Sequence, residues 1–263
     1  MAVTTAYDGL AHEWDAAAGL VYRPLARSLV AASPVELAGC LVLDIGSGTG
    51  AVAQAAAARG ARVVVVDRSI GMVSYRSGQG WPAVVADVLA LPLCDGVFDA
   101  AVAGFLLNHL PPGPALAELA RVVRPGGVAL ASTWAGGQRD PVKAAIDAVV
   151  ASWGWVPPAW YQAMQEQVEY ESGNPERLAA TAWQAGLVSV RAWLHREDLG
   201  LLGSHAVVAY RLATPQIAPW VGALDPPARV ELVRQALAAV RPHAQGWRPA
   251  AVLLTGRVSS QPS

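Results

Sequence analysis

The chain has 263 residues, of which 54% are hydrophobic and 15% charged, and it carries a formal net charge of −1 at pH 7. This composition excludes a disordered chain, and the near-neutral charge leaves no strong basic surface to hold nucleic-acid phosphates. Almost all of the 19 cationic residues are arginine, with Lys143 the only lysine, a skew to which we assign no function.

Neither targeting nor metal chemistry is indicated. The two cysteines, Cys40 and Cys94, stand far apart with no CxxC pair, so we expect no disulfide framework and no metal site. Residues 1–10 lack the basic and apolar regions of a signal peptide. Charged residues, proline or glycine interrupt every long apolar run, which excludes a membrane-spanning helix. We therefore expect a cytoplasmic protein without membrane insertion.

From about Leu41 to Trp134, short β-branched runs alternate with helical stretches, a pattern typical of βαβ units around a parallel sheet. The runs are apolar almost throughout, as expected of strands covered on both faces. Strands are predicted at Leu41–Ile45, Arg62–Val66, Pro82–Ala86, Phe98–Ala103 and Gly127–Thr133. Helices are predicted at Ala51–Arg59, Ile70–Tyr75 and Ala115–Val123, the last ending before Pro125-Gly126-Gly127. The pattern predicts an α/β doubly wound sheet.

Two further strands are predicted in the second half of the chain, which brings the sheet to seven. They are Val188–Leu194 and Ala250–Val258. Helices are predicted at Pro141–Ser152, Pro175–Gln184, Ser204–Leu212 and Pro227–Val240. We interpret Tyr161–Tyr170 and roughly 199–246 as a helical cap over one end of the sheet, because no linker separates these segments from the rest.

The segment Val42-Leu43-Asp44-Ile45-Gly46-Ser47-Gly48-Thr49-Gly50 predicts a ligand site. A buried strand runs into a turn with glycine at alternate positions, and a helix follows. Glycines let the backbone approach a ligand closely, and the start of a helix offers unpaired N–H groups. A polar ligand is therefore expected at this turn.

Two nucleotide cofactors are compatible with the turn. Gly46-x-Gly48-x-x-Ala51, with Asp67 about twenty positions further on, also fits the relaxed dinucleotide pattern. Asp44 would repel a pyrophosphate, however, whereas it would attract the sulfonium and ammonium of S-adenosylmethionine. Asp67 and Asp87 each follow a predicted strand, where they would suit ribose hydroxyls and an adenine amino group.

These residues resemble those of class I S-adenosylmethionine-dependent methyltransferases, in the broad ubiquinone/menaquinone-biosynthesis-like group. The resemblance spans about residues 5–135. Besides the glycine turn, it is carried by Val66-Asp67-Arg68-Ser69 with Met72, Ala86-Asp87, Leu91-Pro92, Phe98-Asp99, Asn108-His109-Leu110, Arg121-Val122-Val123-Arg124-Pro125-Gly126-Gly127, Tyr7-Asp8 and Tyr22-Arg23. It implies the Rossmann-like class I methyltransferase fold, with a mostly parallel sheet.

The resemblance also implies roles for individual residues. Glycines of the turn would line the methionine portion of the cofactor, Asp67 its ribose, and Asp87 its adenine amino group. The implied cofactor-binding set is Tyr22, Asp44, Gly46, Ser47, Gly48, Gly50, Asp67, Arg68, Met72, Asp87, Val88, Ala103, Gly104 and Phe105. Met72 and Val88 would cover the adenine faces, and Ala103 to Phe105 would face the transferring methyl. Tyr22 would either close over the cofactor or serve as ordinary helix packing.

His109 is the candidate general base, since several small-molecule methyltransferases use a histidine near the end of the fourth strand. The alternative is that Asn108-His109-Leu110 braces the following helix. Six aromatic residues of the second half could form an acceptor pocket or pack the cap. They are Trp134, Trp153, Trp155, Trp160, Tyr161 and Tyr170.

One domain is expected, with N-terminal cover helices at 1–40, a cofactor-binding core at 41–134, and the last strands with the cap at 135–263. The predicted function is methyl transfer from S-adenosylmethionine to oxygen, nitrogen or carbon of a small, largely apolar metabolite, in specialised metabolism. The alternatives are a cyclisation or pericyclic reaction with the cofactor bound, an NAD-dependent oxidoreductase and a nonenzymatic binding protein. A diphosphate-bearing acceptor could engage Arg139 or Arg191. The sequence does not distinguish a monomer from a homodimer.

Overall fold

A computed structural model describes residue 9 and residues 11–75, 77–199 and 202–260. Tyr7 and Asp8, which contribute to the family resemblance, lie outside the described residues. Within these ranges the core is one sheet of seven strands. The strands are Leu41–Ile45 (β1), Arg62–Asp67 (β2), Ala83–Val85 (β3), Phe98–Gly104 (β4), Val123–Trp134 (β5), Leu187–Arg196 (β6) and Ala250–Val258 (β7).

The strand order is β3-β2-β1-β4-β5-β7-β6. Strands β1 to β5 pair in parallel, whereas β7 runs antiparallel to both β5 and β6. The chain leaves β1 toward β2 and β3, and returns to add β4 on the other side of β1. This reversal opens a crevice at the carboxyl ends of β1 and β4, where open α/β sheets bind ligands. The doubly wound, mostly parallel sheet is confirmed.

Helices cover both faces of the sheet and its carboxyl edge. They are Ala11–Ala17 (α1), Gly19–Ala31 (α2), Ala51–Ala57 (α3), Ile70–Tyr75 (α4), Pro112–Val122 (α5), Pro141–Ser152 (α6), Ala159–Gln167 (α7), Pro175–Gln184 (α8), Ser204–Leu212 (α9), Ala218–Gly222 (α10) and Pro226–Ala244 (α11). Side chains of α2 and α3 pack with Val42 and Val102 on one face, and α5 and α8 pack with Leu43 and Ala101 on the other.

The cap consists of α6, α7 and α9 to α11, which share an apolar cluster with α2. Three helices outside the parallel core begin with the same local signal, a side-chain cap followed by proline. Asp140, Asn174 and Asp225 accept hydrogen bonds from N–H groups in the first turns of α6, α8 and α11. This signal explains why helix starts were predictable even where the overall pattern was irregular.

The predicted element boundaries differ from the structure mainly around β5. The helix predicted at Ala115–Val123 runs from Pro112 to Val122, and β5 begins at Val123, before the predicted proline-glycine stop. Val123 already pairs with Phe98 of β4, so strand pairing ends the helix earlier than the local sequence indicates. The strand predicted at Pro82–Ala86 is reduced to Ala83–Val85. No helix in the described ranges is long and apolar enough to cross a membrane.

Candidate functional site

A cavity of about 270 Å³ lies at the carboxyl ends of β1, β2 and β4. Its floor is the glycine turn after β1, and α2 closes one side through Gly19, Tyr22 and Ala26. We refer to it as the first cavity. Its lining comprises Trp14, Gly19, Tyr22, Ala26, Asp44, Gly46, Ser47, Gly48, Thr49, Ala51, Val52, Val66, Asp67, Arg68, Ser69, Met72, Ala86, Asp87, Val88, Leu89, Gly104, Phe105, Leu106, His109, Leu110 and Ser132.

The turn after β1 depends on glycine at two positions. Gly46 has φ 67°, and a Cβ there would lie 2.7 Å from the Cδ1 atom of Leu106. Gly48 has φ 51°, and a Cβ there would meet nothing within 4 Å. The first glycine is therefore needed for close packing, and the second leaves backbone open to the cavity.

Asp44 is a buried carboxylate with one oxygen unsatisfied. Its side chain is 1% exposed, and its Oδ2 atom accepts a hydrogen bond of 2.9 Å from the N–H of Ala53 in α3. Its Oδ1 atom is buried and accepts no hydrogen bond from the described residues. Burial, with a smaller contribution from the nearby charge of Asp67, raises the pKa of Asp44 to about 7. A cationic group beside Oδ1 would stabilise the ionised form.

Asp67 ends β2 and faces the glycine turn. Its Oδ2 atom accepts a hydrogen bond of 2.7 Å from the N–H of Gly48, and its Oδ1 atom one of 2.9 Å from the N–H of Ser69. The carboxylate thus ties two loops together while it borders the first cavity. Replacing it would affect both the shape of the turn and any ligand there.

The far wall of the first cavity carries the third carboxylate. Asp87 accepts a hydrogen bond of 3.0 Å from the N–H of Leu89, and it lies 3.5 Å from the guanidinium of Arg68. It therefore caps a short helical turn, Val88–Ala90, as well as bordering the cavity. Met72, which is 2% exposed, and Val88 supply the apolar surface beside it.

The end of β4 forms the opposite wall in a strained conformation. Phe105 has φ 58°, which costs a non-glycine residue about 1–3 kcal/mol. The N–H of Phe105 donates to Ser132, and the carbonyl of Phe105 accepts from the Asn108 amide. Asn108 in turn accepts hydrogen bonds from Thr133 and from the Trp134 N–H. Asn108 therefore braces the loop after β4 against β5, whereas the alternative predicted for this motif was bracing of the following helix.

His109 borders the first cavity and also a second, smaller one. Burial lowers the pKa of His109 to about 4, so the imidazole is neutral at physiological pH. A neutral imidazole can accept a proton, but the low pKa makes it a weak base. Its role as a general base stays a prediction.

The second cavity has a volume of about 60 Å³ and adjoins the first through Trp14, Tyr22 and His109. We refer to it as the inner chamber. Its other lining residues are Asn108, Trp134, Lys143, Trp160, Tyr161, Met164, Tyr210, Arg211, Thr214, Pro215 and Gln216. Burial raises the pKa of Tyr22 to about 12 and also raises that of Tyr210, so both phenols are neutral hydrogen-bonding groups.

Arg211, which borders the inner chamber, is held in an ion pair with Asp147. Arg211 is 4% exposed and binds both carboxylate oxygens of Asp147, at 2.8 and 2.7 Å. Its guanidinium also donates to the hydroxyl of Tyr161 at 3.1 Å. These bonds join α6, α7 and α9, so the chamber is shaped by a charge network within the cap.

All but two of the sequence-predicted site residues border the first cavity. The exceptions are Gly50 and Ala103. Gly50 is the N-cap residue of α3 and has φ 82°, so it contributes to the turn without bordering the cavity. Ala103 is fully buried in the core because side chains alternate along β4, which corrects its predicted place beside the methyl group. The ligand contacts of the other residues stay predictions.

Only part of the predicted aromatic cluster lines a cavity. Trp134, Trp160 and Tyr161 border the inner chamber. The ring nitrogen of Trp153 donates instead to Gln235, that of Trp155 to the carbonyl of Gln216, and Tyr170 is 64% exposed. Sequence reasoning missed Trp14, Lys143, Tyr210 and Arg211. The only sequence feature that could have pointed to one of them is that Lys143 is the single lysine of the chain.

The sequence around the glycine turn is similar to that of known methyltransferases. Residues 43–131 match a family model described as a methyltransferase domain. The demethylmenaquinone methyltransferase of Mycolicibacterium vanbaalenii is 34% identical over 133 residues, which cover 48% of this chain and 57% of that protein. The chain therefore matches little more than half the length of this curated relative.

Solved structures resemble the chain more widely but at low identity. Phosphoethanolamine N-methyltransferase 2 of Haemonchus contortus, in complex with S-adenosyl-L-methionine, has a TM-score of 0.56 and 17% identity, covering 89% of this chain and 52% of that one. The [4+2]-cyclase SpnF has a TM-score of 0.55 and 17% identity, covering 99% of this chain and 98% of that one. Such identities establish the shared fold alone.

Proposed function

Because this chain contains a class I, S-adenosylmethionine-dependent methyltransferase domain at residues 43–131, we propose that the whole protein methylates a small, largely apolar acceptor. The transfer would take place where the first cavity meets the inner chamber. The methylated atom is oxygen, nitrogen or carbon, and a role in specialised metabolism is part of the proposal.

The observation that carries this proposal is the unsatisfied buried oxygen of Asp44. An isolated buried carboxylate is costly unless a cationic partner stabilises it. S-adenosylmethionine has two positive charges, whereas a dinucleotide would bring a pyrophosphate against the same carboxylate. The residues present therefore fit S-adenosylmethionine, and the glycine turn gives it an open backbone at Gly48.

When bound, S-adenosylmethionine supplies a methyl group already activated by its sulfonium. The chain would hold the ribose at Asp67, the adenine between Met72 and Val88, and the adenine amino group at Asp87. Methyl transfer is an in-line displacement, so alignment supplies much of the rate. Phe105 borders the first cavity and packs against Tyr22, which both cavities share, so it would orient the acceptor there.

Aromatic side chains lie where the two cavities meet. Phe105 contacts Trp134 with ring centroids 4.5 Å apart and Tyr22 at 5.0 Å, and Tyr22 also lies 5.4 Å from Trp14. These rings offer flat apolar surfaces to an aromatic acceptor. The sequence relatives are named for a quinone acceptor, which is of this type. Neither Arg139 nor Arg191 borders either cavity, so a diphosphate acceptor gains no support from them.

We would test the cofactor assignment by calorimetric titration with S-adenosylmethionine, S-adenosylhomocysteine and NAD(H). Wild type is expected to bind the two sulfur nucleosides alone. Asp67→Asn keeps the side-chain shape but removes a charge-assisted hydrogen bond, so affinity should fall roughly tenfold to a hundredfold. Asp95→Asn, at an exposed position away from the cavity, is the matched control.

Binding of NAD(H) in place of the sulfur nucleosides would contradict the proposal. A screen of aromatic acceptors then separates methyl transfer from the cyclisation alternative. Formation of S-adenosylhomocysteine together with a methylated product identifies transfer. Conversion of an acceptor without S-adenosylhomocysteine would identify the alternative reaction.

A further inference from the structure

The only lysine of the chain lies in the inner chamber. Eighteen of the nineteen Lys and Arg residues are arginine, and the remaining one, Lys143, borders this chamber from α6. Among Lys and Arg, arginine therefore serves at every other position, including Arg211, which is buried beside the same chamber and paired with Asp147. A lysine differs from arginine in having a compact ammonium whose pKa responds readily to burial.

Both carboxylates near Lys143 are bound by other groups. Asp140 caps α6 through the N–H groups of Val142 and Lys143, and its other oxygen accepts from the ring nitrogen of Trp247 at 3.0 Å. Asp147 is bound at both oxygens by Arg211. The Lys143 ammonium instead lies 3.9 Å from the ring centroid of Trp134.

Burial lowers the pKa of Lys143 to about 8. The charge of Arg211 adds to this lowering, whereas Asp140 and Asp147 oppose it. The ammonium is thus still mostly charged at neutral pH, and the half-buried residue has lost part of its water. A desolvated cation attracts an anion more strongly than an exposed one does.

The lining of the inner chamber favours a small anionic group. Of the described residues that border it, two are cationic and none carries a carboxylate. The phenols of Tyr22 and Tyr210 add further hydrogen-bonding groups. The volume of about 60 Å³ is well below the roughly 150 Å³ of a cavity that takes up benzene. The chamber accommodates a head group, and the rest of a larger molecule would extend toward the first cavity.

We infer that the inner chamber binds an anionic oxygen of the acceptor, a carboxylate or an ionised hydroxyl, through the ammonium of Lys143. This inference rests on the proposed function, because it names the acceptor class of the same site. The bound head group holds the acceptor at Trp14, Tyr22 and His109, the residues that both cavities share. Lys143 is thereby a specificity-determining residue.

The single lysine allows a direct test on the wild-type protein. Protein labelled with ¹³C at the lysine ε-carbon gives one lysine side-chain resonance, that of Lys143. Titration with 2-naphthoate should shift this resonance and raise the pH at which it titrates. The neutral analogue 2-naphthamide should bind at least tenfold more weakly, and it should not change the pH at which the Lys143 resonance titrates. The enolate of 2-hydroxy-1,4-naphthoquinone tests the ionised hydroxyl. Whichever of the two anions binds more tightly shows whether the preferred head group is a carboxylate or an ionised hydroxyl.

Two substitutions isolate the charge. Lys143→Met keeps an unbranched side chain and should weaken binding of the preferred anion at least tenfold, whereas Lys143→Arg should retain part of it. Arg241→Gln, an exposed position of α11, is the control and should bind as wild type. Circular dichroism verifies the fold of each variant. Equal binding of naphthoate and naphthamide, or undiminished anion binding by Lys143→Met, would overturn the inference.

The proposed function is tested separately in the same samples. Lys143 does not border the first cavity, so Lys143→Met should bind S-adenosylhomocysteine with wild-type affinity. Anion binding that depends on Lys143 supports the head-group site even in a protein that binds no S-adenosylhomocysteine. Cofactor binding without selectivity for anions overturns the head-group site and leaves the cofactor assignment intact.

Discussion

Asp44→Asn is expected to stabilise the ligand-free protein at neutral pH and to weaken cofactor binding. Asparagine keeps the oxygen that accepts from the Ala53 N–H, and it replaces the unsatisfied oxygen with an amide group that is never charged. The pKa of about 7 in the folded protein is some three units above the value of an exposed carboxyl. Each unit corresponds to about 1.4 kcal/mol, so ionising Asp44 costs up to about 4 kcal/mol.

The sign of this effect sets the pH range of the experiment. A carboxyl whose pKa is raised by folding is most favourable below the unfolded pKa, near pH 4, and its contribution is lost as the pH rises through about 7. Wild type should therefore lose stability relative to Asp44→Asn between pH 5 and pH 8. Urea unfolding followed by circular dichroism at four pH values in this range measures the difference.

Asp44→Asn should bind the cofactor more weakly, although it is more stable than wild type at neutral pH. The variant lacks the carboxylate that attracts a cation, so its affinity for S-adenosylmethionine should fall at least tenfold by calorimetry. Asp95→Asn, at an exposed position, provides a surface control. A constant difference between wild type and Asp44→Asn from pH 5 to pH 8 would refute the reasoning, since the buried carboxyl would then carry no cost of ionisation.

Two further predictions concern the loop after β4. Burial lowers the pKa of His109 to about 4, so wild type should lose stability relative to His109→Gln as the pH falls from about 6.5 toward 4. Between pH 7 and pH 5, urea unfolding should show the stability difference between the two proteins change by on the order of 1–2 kcal/mol. The same difference at both pH values would contradict the lowered pKa. Gly104→Ala would place a Cβ 2.6 Å from the Val52 Cγ2 atom, so it should cost about 1–3 kcal/mol of stability and reduce S-adenosylhomocysteine affinity. Gly113→Ala, whose Cβ would lie 3.7 Å from Thr181, is the matched control; an equal loss in both variants would show that packing at Gly104 is not the cause.

The proposed cofactor half of the site was predictable because its information is local. Each carboxylate that borders the first cavity lies within two residues of the carboxyl end of a strand, and the carboxyl ends of parallel strands meet at one edge of the sheet. Asp44, Asp67 and Asp87 could therefore be placed together from their positions in the sequence. Ala103 was misplaced because neighbouring side chains of a strand point to opposite faces, and the strand pattern did not show which of Ala103 and Gly104 faces the cavity.

The sequence by itself determined the parallel core, the glycine turn and the family resemblance, since all three depend on short-range patterns of apolar residues, glycines and strand-end acids. Only the tertiary structure decided the inner chamber. Lys143 and Arg211 lie on separate helices of the cap, and Asp147 binds Arg211 across 64 positions of sequence. No local pattern relates such residues, because long-range packing of α6 against α9 brings them together. The proposed acceptor side of the site therefore emerged only with the fold.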